Sequence, residues 1–354
     1  MRVLVTVSTP ASSPGARVTT ASDKFAAGGG LGTMVATTKD GVRLRMDLVV
    51  DGLVQPTDLA FSPDNRILVA ERSGRVRVIR DGLLRTEPAL VLDDLTTNGQ
   101  SGLLALALDP AFNSTHYVYV LYTTLGSAGS AFRLARFREA NDTLADRVVI
   151  LENIAASPVR PAASLRFGPD GKLYAAFDDA DEFQREGDMA SYNGKILRLN
   201  LDGTTPDGQV GYTPVYAANY RSPRGLDWQP GTGWLWAADS DASGSTRLDA
   251  IGPGRDRLAH GTLKGSYAVP SSGASALSFY TGALIPAFRG NLLVAEAGGD
   301  LLRIRFNQTD PPDVTDTERL FQGGLTTIGS LSAPSDGAIY IGTENAVMKI
   351  VPVR

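Results

Sequence analysis

The chain contains no cysteine. That excludes disulfides, thiolate metal sites and a cysteine nucleophile, but it leaves the compartment open, because many exported proteins of bacterial type also lack cysteine. Histidine is nearly absent too: His116 and His260 are the only two in 354 residues. Neither has a serine and an aspartate spaced as a triad partner set, so each reads as a surface or turn histidine. There is no apolar run of about 18 residues, so no membrane-spanning helix is expected. Excess positive charge is missing as well: the net charge is −4 and the sequence pI about 5.4, which gives no electrostatic reason for a nucleic-acid partner. The opening Met1-Arg-Val-Leu-Val-Thr-Val7 has an apolar part of five residues. A secretory h-region has about 7 to 15, so no standard signal peptide is read there. Residues 1–41, rich in Ser, Thr, Ala and Gly, read as a flexible leader outside the fold.

Glycine and proline are plentiful, 38 and 20, and they punctuate a repeat. Its clearest copy is Ser164-Leu-Arg-Phe-Gly-Pro-Asp-Gly-Lys-Leu-Tyr-Ala-Ala-Phe-Asp178. Leu165 and Phe167 flank one residue at strand period, Gly-Pro-Asp-Gly is turn chemistry, and a second strand follows, so the unit is a hairpin. Degenerate copies begin at Leu59, Leu106, Leu226, Leu277 and Leu331, about fifty residues apart. Six repeats of short strands at that period predict an all-β, six-bladed β-propeller with four-stranded blades, one domain over 42–354. Val42 to Val50 alternates apolar and polar residues and has no preceding blade, so it is expected to pair with the last one. That would close the ring and remove an exposed edge.

In a propeller the loops entering each inner strand and those joining second to third strands meet at one mouth. The entering loops carry Asp58, Gln100, Arg160, Arg221 and Arg224; the others carry Glu71, Arg72, Asp178, Asp179, Asp181, Glu182, Asp239, Asp241, Glu296, Glu344 and Asn345. A charged concave mouth is the default site. Each acid has a plainer reading as a turn cap, and Glu71-Arg72 as an exposed ion pair. Asp178, Asp179, Asp181 and Glu182 are a candidate calcium group, but they lack an Asp-x-Asp-x-Asp-Gly loop, and a solvated acidic loop is the alternative. The insertions 180–194, 202–213 and 252–265 are where loop-borne function is expected.

Several segments in order resemble the glucose/sorbosone dehydrogenase family of soluble quinoprotein propellers. They are Leu53-Val-Gln-Pro-Thr-Asp-Leu-Ala-Phe-Ser-Pro-Asp64, Gln100-Ser-Gly-Leu-Leu-Ala-Leu-Ala-Leu-Asp-Pro-Ala-Phe112, Phe167-Gly-Pro-Asp-Gly-Lys-Leu-Tyr174, Gly194-Lys-Ile-Leu-Arg-Leu199 and Tyr220-Arg-Ser-Pro-Arg-Gly-Leu226. The resemblance implies pyrroloquinoline quinone (PQQ) and calcium at the mouth, and oxidation of an aldose-type sugar at its anomeric carbon. It also implies that members are typically exported. Gln100, Arg160, Arg221 and Arg224 become candidate cofactor contacts, and Asp179, Asp181 and Asp239 weak metal candidates. The family's catalytic histidine falls on Arg160, which at a pKa above about 12 is no base at neutral pH. Asp58 and Asp179 are then the candidate proton acceptors. The family's arginine pair falls near Thr327 and Gly329, and its Asn on Ser222. Three readings follow: a divergent sugar dehydrogenase, a catalytically silent propeller binding a sugar, an anionic ligand or a protein at the mouth, and a calcium-dependent lactone hydrolase. No protein partner is specified.

Overall fold

A computed structural model describes residues 34–353 apart from 208, 210, 211, 242, 253–264, 270–272 and 310–311. The chain makes six antiparallel sheets, taken up in sequence. Blade 1 has Pro56–Phe61, Ile67–Glu71 and Arg75–Arg80, with an outer strand broken into Leu83–Leu84 and Leu90–Val91. Blade 2 has Leu103–Leu108, Tyr117–Gly126, Gly129–Ala140 and Thr143–Ala155, and blade 3 has Ala163–Phe167, Leu173–Phe177, Lys195–Leu199 and Val215–Ala218. Blade 4 comprises Pro223–Trp228, Leu235–Ser240, Thr246–Ile251 and Gly265–Val269; blade 5 comprises Ala274–Phe279, Leu292–Glu296, Leu301–Phe306 and Val314–Leu320. Blade 6 takes Ser330–Ser332, Ile339–Gly342 and Val347–Pro352 from the end of the chain, and Arg43–Val50 from its beginning.

The ring therefore closes as expected, with Leu44 opposite Pro352 and Met46 opposite Ile350. The leader boundary at 41 is corrected. Met34–Thr37 is a further strand, paired with Arg43–Val50, because Met34 and Ala36 pack on the apolar layer between blades 5 and 6. The turn behind it carries Asp40, whose two oxygens accept from Arg303 Nη1 and Nη2 at 2.9 and 3.0 Å. Residues 1–33 lie outside the described residues, as do His260 and most of the 252–265 insertion.

The repeat unit behaves as its residues dictate. In blade 3, Gly171 takes φ +70° and Asp170 Oδ1 accepts the Lys172 amide at 3.1 Å, which fixes the hairpin turn. Ile67–Glu71, Leu173–Phe177 and Leu292–Glu296 are buried at every position, since neighbouring blades cover both faces of a second strand. Such strands read as continuous apolar runs, not alternation. Six apolar clusters fill the six gaps between blades; the one between blades 6 and 1 joins Val50, Leu59, Val69 and Val347. Trp236 fills another gap, stacked on Tyr267 across its own blade and tilted against Phe306 of blade 5 at 4.6 Å.

Candidate functional site

At the mouth the inner strands are not regular. Four of them carry one extra residue at the equivalent position: Thr57, Leu104, Arg224 and Ser275. A bulge turns its extra side chain out of the pleat. All four line a cavity of about 440 Å³ at the head of the channel. Thr57 and Ser275 use their hydroxyls to reach a carbonyl of the next inner segment, Leu103 at 2.9 Å and Ile328 at 2.6 Å. Arg224 instead presents a guanidinium.

The same cavity is lined by Arg72, Gln100, Arg160, Asp178, Asp179, Asp181, Arg221, Ser222 and Asp241, so most of the sequence-predicted mouth residues do come together. Thr327 and Gly329 also line it, at the positions where the resemblance placed an arginine pair. Gln100 is clamped by backbone. Gly99 has φ +61°, and a Cβ there would stand 2.4 Å from the Val159 carbonyl, which accepts the Gln100 amide at 2.8 Å. Only glycine permits that approach. Gln100 is thereby held beside Arg160.

The acids that follow second strands are clasps. Glu71 Oε1 accepts the Val54 amide at 2.8 Å, Asp178 Oδ2 the Ala162 amide at 2.8 Å, and Asp239 Oδ1 the Arg221 and Ser222 amides at 3.0 and 2.7 Å. Each ties the loop entering its blade to the strand beside it. Burial raises the Asp178 and Asp239 carboxyls to about 7 even though these amides favour the ionised form. The expected exposed Glu71-Arg72 pair does not form: Glu71 is fully buried and pairs with Arg75 at 2.6 Å, while Arg72 Nη1 donates to the Gln100 carbonyl. The acidic loop is solvated only in its second half, where Asp181 and Glu182 are exposed. Asp178 and Asp179 are buried, Asp181 Oδ2 accepts from Ser157 Oγ at 2.7 Å, and Glu182 pairs with Arg185 at 2.7 Å.

Asp58 is corrected as a free proton acceptor. Arg166 holds both its oxygens, at 2.7 and 2.9 Å, and the Leu106 and Leu59 amides complete its shell. Glu344 and Asn345 act through their carbonyls, which accept from Gln55 and Leu53, and Glu296 is buried against Arg319. His116 is a half-exposed turn residue at φ +54°, 3.9 Å from Glu139.

Asp179 differs from the clasps. Its Oδ1 accepts the Asp181 amide at 2.9 Å, but its Oδ2 is buried without a hydrogen-bond partner, as is Glu186 Oε1. Arg221 Nε lies 3.7 and 3.8 Å from these two oxygens. Burial raises both carboxyls above the ordinary range. For Glu186 the charge of Asp179 adds to it, while Arg221 opposes it in both. Asp179 thus keeps one carboxylate oxygen that no protein donor holds, and Arg221 faces it together with the second buried carboxyl of Glu186. Sequence reasoning missed Glu186, although it lies in the flagged 180–194 insertion. The buried Lys195 pins that insertion, its Nζ donating to the carbonyls of Arg185, Glu186 and Asn193 at 2.7 to 2.9 Å.

Among the described residues no three His, Cys, Asp or Glu side chains gather closely enough to hold a metal ion. Asp181 and Asp239 are committed to protein donors and Asp179 offers a single free oxygen, so a carboxylate cage for calcium does not fit this mouth. A planar anionic quinone does fit: four guanidiniums and one carboxamide face a cavity of about 440 Å³.

A closed six-bladed ring with one polar, arginine-rich mouth defines a propeller whose site lies at the head of its channel. Residues 53–257 and 263–351 match the Glucose / Sorbosone dehydrogenase family, and the chain belongs to that family. It is similar to quinoprotein glucose dehydrogenase B of Acinetobacter calcoaceticus, at 27% identity over 52% of this chain and 45% of that one. The chain spans about half the length of the curated relatives it matches. A Thermus thermophilus oxidoreductase described as a glucose dehydrogenase superposes with TM-score 0.75 at 30% identity, covering 87% of this chain and all of that one. The PQQ-bound aldose sugar dehydrogenase of Streptomyces coelicolor shares the fold, with TM-score 0.74 at 20% identity over 88% of this chain and 98% of that one.

Proposed function

We propose that this protein oxidises an aldose-type sugar at the channel mouth with PQQ as hydride acceptor. One observation carries the reading: Gln100, Arg221 and Asp179 share one cavity with a guanidinium-rich wall. Gln100 and Arg221 would hold the quinone, which supplies a hydride sink beside the anomeric carbon. Asp179 Oδ2, the carboxylate oxygen without a partner, takes the proton of the reacting hydroxyl. Arg221 steadies the negative charge of the Asp179–Glu186 pair before the transfer. Arg160 stands where the family resemblance places histidine and contributes charge, not base strength.

The test is thermal unfolding with and without PQQ, followed by dye reduction with aldoses. Quinone at 100 times its Kd adds about 2.7 kcal/mol and raises Tm. Arg221→Ala is expected to abolish the rise. A second reading is favoured by Arg160 itself: a propeller that has lost turnover and keeps an anionic ligand at the mouth. A raised Tm without dye reduction by any aldose would select it.

A further inference from the structure

Among the described residues, three of the four mouth guanidiniums form no ion pair. Of the acids at the mouth, Glu71 pairs with Arg75 at 2.6 Å, Asp239 with Arg247 at 3.2 Å and Glu296 with Arg319 at 3.2 Å, and Asp179 and Glu186 face Arg221, while Asp178, Asp181 and Asp241 meet backbone amides and hydroxyls. Among the described residues Arg72, Arg160 and Arg224 make no ion pair, yet all three line the same cavity. Two of them bracket one residue. Arg72 Nη1 donates to the Gln100 carbonyl, and Arg224 Nη2 lies 3.4 Å from Gln100 Oε1 and 3.5 Å from the Arg160 carbonyl. The bulge of blade 4 is what turns Arg224 toward this point.

Gathering like charges is unfavourable. Burial, then the charges of Arg72 and Arg160, push the Arg224 pKa down to about 10. Asp178, whose charge partly offsets this, is itself raised to about 7 by burial and accepts three backbone amides. The cost is offset when an anion enters, because guanidinium forks recognise planar or tetrahedral oxyanions by paired hydrogen bonds. Arg160 is exposed and Arg72 and Arg224 are half-buried, whereas Asp179 is buried.

We propose that Arg72, Arg160 and Arg224 form a receptor for a compact anionic group, carboxylate or phosphate, carried by the sugar substrate. This rests on reading the mouth as a sugar dehydrogenase site.

The experiment compares D-glucuronate, D-glucose 6-phosphate and D-glucose as substrates of the PQQ-loaded protein, in the parent and in Arg160→Gln and Arg72→Gln. One anionic sugar is expected to exceed glucose in kcat/KM by about tenfold or more, which also identifies carboxylate or phosphate as the group. The preference should shrink with added salt and fall toward one in both variants while the quinone still raises Tm. Equal use of glucose and both anionic sugars, with the quinone bound, would overturn the receptor and leave the dehydrogenase reading standing. So would loss of the quinone's Tm shift in Arg160→Gln without any sugar preference, since the anion would then be the cofactor's own. If the parent binds no quinone or oxidises no sugar, the dehydrogenase reading fails. Calorimetry of the same three sugars on cofactor-free protein then decides alone: selective anionic binding lost in Arg160→Gln upholds the receptor, and its absence overturns it.

Discussion

Asp178 and Asp179 are adjacent, both buried, and do different work. Asp178 spends its oxygens on the amides of Ser157, Ala162 and Ala180, whereas Asp179 keeps one oxygen free against Glu186. Asp179→Asn is accordingly expected to lower kcat by about 10² to 10⁴ while the quinone still raises Tm. An acceptor must be ionised, and burial raises this carboxyl, so turnover should rise with pH through a range above that of ordinary aspartates and be lost on acidification. The clasps predict a stability effect of a particular sign. Asp178 and Asp239 have folded pKa values of about 7 against 3.8 for the free group. Below the lower value both states are protonated and nothing is gained or lost. Between the two values the unfolded chain releases the proton first, so this contribution makes the fold less stable as pH rises toward 7. Urea unfolding from pH 4 to 7 should show that slope, and Asp239→Asn should flatten it. An unchanged slope would remove Asp239 as its source.

At the scale of the element, the loop that carries Gln100 depends on a contact without side chains. Gly99→Ala would drive a Cβ toward the Val159 carbonyl at 2.4 Å and impose φ +61° on alanine. A positive-φ residue costs about 1 kcal/mol or more outside glycine, and here the loop must also move. The expected result is a weakened quinone-dependent Tm shift with the ring still folded. What the sequence made legible divides along the same line. Turn residues and apolar runs marked every blade, because Gly-Pro-Asp-Gly and fully covered second strands leave a compositional trace. The bulges left none: Thr57, Leu104, Arg224 and Ser275 share no residue type, and an extra residue is visible only against its partner strand. The mouth residues were therefore found by loop position, while their division into clasps, the Asp179–Glu186 pair and unpaired cations required the neighbours each one meets. Met34–Thr37 was missed for a related reason. A four-residue strand shows almost no periodicity, and its anchor, the Asp40–Arg303 pair, spans 263 residues. Arg303 is almost fully buried, so Asp40→Ala should destabilise the protein by about 1 to 3 kcal/mol in denaturant unfolding.

For the whole molecule, the rigidity of the mouth depends on a ring closed by non-covalent pairing. Arg43–Val50 supplies the outer strand of blade 6, and Leu44 and Met46 are buried in the layer shared with blade 5. If that burial and the ladder to Val347–Pro352 are what close the ring, covalent continuity elsewhere is secondary. Two proteins separate these contributions. Leu44→Ala keeps every peptide bond and removes apolar volume at the closure, and is expected to cost about 2 to 5 kcal/mol. A circular permutant does the opposite. Val353 already donates its amide to the Arg43 carbonyl at 2.8 Å, so the end of the chain lies beside the start of the closing strand. A short glycine-rich linker from Val353 to Met34, with the chain opened between the exposed Ser127 and Ala128, preserves all blade pairings and cuts only a hairpin tip. It should unfold in one transition and lose less stability than Leu44→Ala, because the blades bury one another in a continuous ring wherever the chain begins. Two separate transitions in the permutant, or a loss exceeding that of Leu44→Ala, would mean that the Tyr117–Gly126 and Gly129–Ala140 hairpin, not the closing strand, holds the ring together.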